Sequence, residues 1–247
     1  MHTFKNYTVI ITGGTSGIGL AVAQKLAHYG ANIVIAGRDK KKGANAIANI
    51  KGIAKFVQTD VTDETKVADL INQTIKYFGR IDCLVNSAGI TTLNESNLSK
   101  MTKDEIENLI STLLIAPIIT TQKALPHLLS SKGVVINMAS ALGIKAQTFS
   151  PIYGSAKSGL IMFTKNMALM YAKRGVRFNA ICPGPTDTPM LDNVIPNPII
   201  KKIAMFQNPS HRAGTAEEVA RLVAFVAHPD NSYITGSVYT IDGGQSL

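Results

Sequence analysis

Tryptophan is absent from the 247-residue chain, aromatic residues make up only 6% of it, and cysteine occurs twice. Cys83 and Cys182 each sit in an apolar strand-like run, where a thiol behaves as a small buried hydrophobe and not as a nucleophile. That pattern excludes a disulfide-stapled secreted domain and suits a reducing compartment. His2, His28, His127, His211 and His228 are scattered without a metal-ligand spacing and lack paired cysteines, so no metal site is expected. Long apolar runs are missing as well. No stretch reaches membrane-spanning length, and Met1 to Asn6 leads straight into a strand without the charged and apolar zones of a signal peptide. The expectation is a cytoplasmic protein with no membrane partner. Charged residues amount to 17% with a formal net charge of +9, yet contiguous basic runs are confined to Lys40-Lys41-Lys42 and Lys201-Lys202. With no aromatic residues interleaved, these runs read as solvated surface and not as a nucleic-acid track, while an acidic substrate carrier stays open as a partner.

What the chain does have is apolar residues, at 45%, enough for one sizeable α/β core. Strand-like runs at Tyr7 to Ile11, Ile33 to Ala36, Ala54 to Gln58, Cys83 to Asn86, Gly133 to Met138, Arg177 to Cys182 and Val238 to Ile241 alternate with helical segments. Thr102-x-x-Glu105 and Thr215-x-x-Glu218 read as capping boxes, and Ser150-Pro151 as an N-cap followed by proline at the first helical position. The alternation predicts an α/β fold: one domain over residues 1–247, a Rossmann-type doubly wound parallel sheet of about seven strands with helices on both faces. Ligands are then expected beyond the carboxyl ends of the strands. Thr188 to His211, with four prolines, is too long for an ordinary connection and reads as an irregular substrate lid. Met190, Leu191, Val194, Ile195, Met205 and Phe206 make it apolar, which predicts a mainly apolar pocket beneath it.

Two motifs carry chemistry. The run Thr12-Gly13-Gly14-Thr15-Ser16-Gly17-Ile18-Gly19 follows the first strand and opens a helix running to about Tyr29, so its backbone amides and the positive helix end can face a pyrophosphate. Gly13, Thr15, Ser16, Gly17, Ile18 and Gly19 are therefore expected to bind the cofactor, with the glycines permitting a tight turn and close approach. Further on, Tyr153 and Lys157 stand four residues apart, thirteen residues after Ser140. A lone tyrosine-lysine pair means little. Its order and spacing relative to the glycine turn point to nicotinamide-dependent carbonyl reduction.

Thr12-Gly13-x-x-x-Gly17-x-Gly19, Asp60-Val61, Asn86-Ser87-Ala88-Gly89, Ser140, Tyr153-x-x-x-Lys157, Pro183-Gly184 and Asp242-Gly243-Gly244 resemble, in order and over essentially the whole chain, the motifs of the short-chain dehydrogenase/reductase family. The likeness is strongest to its single-domain 3-oxoacyl-thioester reductases and their relatives acting on other ketones and alcohols. In the related enoyl reductases the Tyr-to-Lys spacing is longer, which argues against double-bond reduction. The resemblance implies that Tyr153 donates the proton, Ser140 orients the carbonyl, and Lys157 lowers the phenol's pKa and holds the nicotinamide ribose. A free phenol near pKa 10 is about three units too high, roughly 4 kcal/mol, and one ammonium at about 4 Å in an effective dielectric of about 20 supplies a similar amount. It further implies cofactor contacts from Asp60 and Val61 to adenine, from Asn86, Ala88 and Gly89 after the fourth strand, and from Pro183, Gly184 and Thr188 around the nicotinamide. Asp60 capping a turn and Asn86 tying strands together remain structural alternatives.

Gly37 stands where relatives preferring NAD usually carry an acidic residue, and Arg38 follows it. This favours NADP(H), with NAD(H) as the alternative if Arg38 pairs instead with Asp39. Leu113 occupies the place where the family usually has an asparagine completing a catalytic tetrad, with Asn108 and Thr112 nearby as other candidates for that place. Leucine keeps the backbone carbonyl and loses the amide that could disturb the helix, so a weakened water relay is expected. The helix from Ile152 to Arg174 is apolar on more than one face, which predicts a homo-oligomer, a tetramer as in many relatives. The substrate is expected to be a small carbonyl or alcohol compound. A catalytically silent nucleotide-binding sensor on the same fold is the alternative function.

Overall fold

The computed structural model describes residues 3–91, 97–206 and 208–247; His2 and the side chain of Phe206 lie outside what is described. In chain order the elements are β1 (Thr8–Thr12), α1 (Gly17–His28), β2 (Asn32–Gly37), α2 (Lys40–Ala48), β3 (Ala54–Gln58), α3 (Glu64–Phe78), β4 (Cys83–Asn86), α4 (Lys103–Ile110), α5 (Ala116–Ser131), β5 (Val134–Met138), α6 (Pro151–Tyr171), β6 (Arg177–Pro183), β7 (Thr186–Asp187), α7 (Pro189–Val194), α8 (Pro198–Phe206), β8 (Gly214–Thr215), α9 (Ala216–Ala227) and β9 (Val238–Ile241). Seven strands form one parallel sheet in the order β3-β2-β1-β4-β5-β6-β9.

Each central strand is buried along its whole length because alternate residues feed two separate cores. Val9, Ile11, Ile33, Ile35 and Val85 pack with α1 and α9 on one face; Ile10, Val34, Leu84, Val135 and Phe178 pack with α3, α5 and α6 on the other. Burying a side chain of this size contributes about 1.5–3 kcal/mol, so apolar residues at successive strand positions are what a two-sided sheet needs. The chain winds outward from β1 to β3 and then returns to lay β4 on the other side of β1. A crevice therefore opens where the carboxyl ends of β1 and β4 diverge.

Local signals hold α4 and α9 in place. Both capping boxes form, with Thr102 and Thr215 accepting from the amides of Glu105 and Glu218 while each glutamate reaches back to the cap amide. α6 starts at Pro151 as expected, but Ser150 makes no side-chain cap hydrogen bond. Three expectations need correction. The segment 188–211 is not irregular: it forms α7 and α8, rooted by the two-residue parallel pair β7–β8. Continuous helix from Lys103 to Ser131 is long and apolar enough to cross a membrane by length and composition, so the absence of such a stretch does not hold. Its buried residues Leu109, Leu113, Ala124 and Leu128 belong to the protein's own cores. Finally, that helix is disturbed despite Leu113, with a π-helical turn at Ser111–Ile115 joining α4 to α5.

Candidate active site

The glycine turn is built by steric demand. Gly13 has φ of 67°, and a Cβ there would lie 2.8 Å from Ala88 Cα; a Cβ on Gly19 would lie 2.4 Å from Gly13 O. Thr12 Oγ1 accepts from the amides of Ser87 (3.1 Å) and Ala88 (3.2 Å), fixing the end of β4 beside the turn. Ser16 caps α1 without a side-chain hydrogen bond, and the first turn, which includes Ile18, carries no acidic residue. The positive helix end thus faces outward with amides to offer, and this cradle fits a dinucleotide pyrophosphate. Across the crevice, a Cβ on Gly17 would approach Thr188 Cγ2 at 3.3 Å, and one on Gly89 would meet both Leu113 Cδ2 and Met190 Cε at 3.6 Å. Thr188 and Met190 therefore lie close to the turn and to the end of β4.

At the end of β2, the Thr15 side chain rests on Gly37, where a Cβ would come within 2.8 Å of Thr15 Cγ2. Arg38 is exposed beside it. Asp39 does not pair with Arg38: its carboxylate accepts from Lys42 N at 3.0 Å as the N-cap of α2, and that hydrogen bond holds its pKa below the usual range. Asp60, followed by the half-buried Val61, accepts from Thr62 N (3.0 Å) and Thr62 Oγ1 (2.7 Å). Partial burial pushes the Asp60 carboxyl up, but these two bonds and the charge of Arg38 outweigh it and leave the pKa lowered.

Asn86 is turned into the interior. Its Nδ2 donates to Asn137 Oδ1 (2.8 Å), its register partner on β5, and to Thr121 Oγ1 (3.2 Å); Asn137 passes the chain of bonds on to Thr164 Oγ1 on α6. Its Nδ2 ties β4 to β5 and α5, and its Oδ1 is left buried without a partner. On the opposite side of the crevice, Gly184 donates its amide to Ile241 O at 3.1 Å, and a Cβ there would lie 2.8 Å from Asp242 Cα, so Pro183-Gly184 turns tightly against Asp242.

Ser140, Tyr153 and Lys157 are brought together by two close backbone approaches. A Cβ on Gly143 would lie 2.9 Å from the carbonyl carbon of Lys157, and one on Gly154 would lie 3.0 Å from Leu142 O, so the loop after Ser140 presses on the first turns of α6. Ser158 Oγ donates to Gly143 O at 2.7 Å and closes the contact. Ser140 is nearly buried and its hydroxyl accepts from Leu142 N at 3.1 Å. Lys157 is 4% exposed; its Nζ donates to Met138 O at 2.7 Å and stands 5.7 Å from the centroid of the Tyr153 ring. Burial pushes the ammonium's pKa down to about 8, opposed by the neighbouring Cys182 thiol. Tyr153 is half-buried against Leu109, Leu113 and Ala156.

The sequence alone did not find Thr12 as the brace of the β4 end, Met138 O as the seat of the lysine, or Asn137 as the partner of Asn86. A signal for the last existed, since an asparagine inside an apolar strand needs a partner.

A dinucleotide cradle with a serine, a tyrosine and a buried lysine beside it defines an oxidoreductase. A family described as enoyl-(acyl carrier protein) reductase matches residues 13–246. The chain is 33% identical over 240 residues to a 3-oxoacyl-(acyl-carrier-protein) reductase of Chlamydia pneumoniae, covering 96% of this chain and 95% of that one. It is 35% identical to a cis-4-hydroxycyclohexanecarboxylate dehydrogenase of Sinomonas cyclohexanicum, with 98% of each covered. The crystal structure of levodione reductase superposes with a TM-score of 0.94 at 34% identity over 98% of both chains. The chain belongs to the short-chain dehydrogenase/reductase family, whose members use a nicotinamide dinucleotide to act on hydroxyl and ketone groups.

Proposed function

We propose that this protein is an NADP(H)-preferring oxidoreductase that interconverts a ketone and a secondary alcohol in an apolar pocket closed by residues 188–211. The observation that carries the reading is Lys157: a buried ammonium facing the Tyr153 ring is costly to maintain, and its hydrogen bond to Met138 O fixes its position without neutralising its charge. When bound, the nicotinamide supplies the hydride that the carbonyl carbon receives. Tyr153 Oη gives its proton to the oxygen as charge develops there, Ser140 Oγ donates a hydrogen bond to the same oxygen, and the Lys157 charge stabilises the phenolate that remains. The four-residue Tyr-to-Lys spacing supports carbonyl over double-bond reduction. The named activities of the relatives above, on an oxoacyl thioester, a cyclic alcohol and a dione, support the same bond type while differing in substrate.

The preference for NADP(H) rests on Gly37, Thr15 and Arg38. No carboxylate stands at the end of β2, Thr15 covers Gly37, and among the described residues no carboxylate lies within ion-pair distance of Arg38. A charge-assisted contact to a 2′-phosphate contributes about 1.5–3 kcal/mol, a preference of roughly ten- to hundredfold. The test is NADPH oxidation with acyl thioesters, cyclic ketones, sugars and steroids. Tyr153→Phe is expected to abolish turnover while leaving NADPH binding intact, and Arg38→Ala to erase the difference between cofactors. Equal catalytic efficiency of the unmodified enzyme with NADH and NADPH overturns the preference; tight NADPH binding without turnover of any ketone overturns the activity.

A further inference from the structure

Helix α8 is built inside out. Ile199, Ile200 and Ile203 are 69%, 57% and 59% exposed, whereas Lys201 and Met205 face inward. A short helix with isoleucines toward water has little hydrophobic burial to hold it, so polar contacts must fix its position. Asn197 Oδ1 caps its start by accepting from Ile199 N (2.9 Å) and Ile200 N (3.2 Å), which orders the helix without attaching it to anything. Its far end is held by the buried Met205 and by Asn208 Nδ2 donating to Asp242 O; toward α7, attachment comes from Lys201, whose Nζ lies 2.7 Å from Asp187 Oδ1 and 2.7 Å from Asp192 Oδ1.

One of those carboxylates precedes α7 and the other lies within it. Asp187 precedes Thr188, which faces Gly17 of the phosphate turn, and Asp192 follows two residues after Met190, which reaches Gly89 at the end of β4. One ammonium therefore holds the approach to α7 and the middle of that helix together. Isolated surface ion pairs contribute little to the stability of a fold. Here the pair has only to bias a lid between closed and open positions, and a single cation serving two carboxylates orders one lysine side chain instead of two.

We propose that Lys201 is a positioning residue that holds the α7–α8 lid over the cofactor turn; the proposal rests on the reading of 188–211 as a lid. Lys201→Met keeps the stem and removes the charge. It is expected to raise the KM for ketone and the Kd for NADPH about three- to tenfold with kcat changed less than twofold. Salt should weaken the unmodified latch, so raising ionic strength from about 50 to about 500 mM should speed proteolysis of α7 in the wild type and change it little in Lys201→Met. Chymotrypsin, cutting at Met190 and Leu191, should nick the variant several-fold faster, and Lys201→Arg should restore wild-type behaviour. Asp187→Asn with Asp192→Asn supplies a second route to the same state. Proteolysis and NADPH binding need no turnover, so they test the latch even if no ketone is reduced. Unchanged cleavage and NADPH affinity in Lys201→Met overturn the proposal, as does a general loss of Tm with the cleavage pattern unaltered.

Discussion

Lys157 is the residue whose chemistry conflicts most with its surroundings. Its folded pKa of about 8 lies below the ordinary 10.5 because burial disfavours the ammonium. A lowered folded pKa means that the unfolded chain binds more protons between pH 8 and 10.5, so stability rises with pH across that window. A shift of this size corresponds to about 3 kcal/mol. Wild type is therefore expected to gain about that much relative to Lys157→Met as pH rises from 7 to 11, measured by urea unfolding of both proteins without cofactor. The catalytic consequence has the opposite sign. The charge that assists Tyr153 is present below about pH 8 and lost above it, so kcat/KM for the cofactor, which reports groups of the free enzyme, should fall as pH passes 8. A stability difference flat across the window means that the lysine reaches solvent and is not the strained group described. The site thus holds a charge that the fold by itself disfavours, which is the trade expected where chemistry and stability compete.

At the scale of elements, the helix from α4 to α5 shows how a side chain and a backbone shape can separate. The π-helical turn at Ser111–Ile115 persists with Leu113 inside it, fully buried against Leu109, Ala156 and Tyr153. The amide expected at this position is therefore not needed to disturb the helix; what leucine removes is polarity beside Tyr153. Leu113→Asn is expected to raise turnover at unchanged NADPH affinity while costing about 1–3 kcal/mol of stability for a polar group placed in an apolar cluster. Turnover that stays flat or falls with the fold intact shows that leucine does not limit proton supply. Much of the fold was legible because central strands buried on both faces write themselves as unbroken apolar runs: β3, β4 and β9 fall where the pattern put them, β5 and β6 differ by a residue at one end, β1 and β2 by a residue at each end, and the two-residue β7 and β8 went unread. The segment 188–211 was misread as irregular because its prolines were taken as breakers. Pro189 and Pro198 each begin a helix, at the one helical position where a missing amide proton costs nothing. The π-turn left no mark in the sequence, and the role of Asn86 depended on a strand register that only tertiary structure supplies.

At the scale of the whole molecule, the unresolved physical problem is apolar surface on α6. This helix carries Tyr153 and Lys157 near its start, and further along it exposes Met162, Leu169 and Met170, with Leu169 at 85%. Met162 and Leu169 are seven residues apart and share one stripe, interrupted by the exposed Lys165 and Asn166. A net charge of +9 keeps copies apart at long range, but salt at physiological strength screens that repulsion beyond about 8 Å, leaving short-range burial to decide. Self-association through α6 is the arrangement that removes this stripe from water, and a symmetric contact places the same side chains on both copies. One such contact gives a dimer and a tetramer takes a second; the homotetramer is the expectation that the family resemblance adds. Light scattering at micromolar concentration should give its mass, and Leu169→Lys, which sets like charges against each other across such a contact, should lower it. Because the contact would brace the helix that holds the tyrosine and lysine, the same substitution should lower Tm in a concentration-dependent way and reduce turnover without altering the preference between cofactors. A wild type that scatters as a monomer leaves the stripe solvated and removes the argument for assembly.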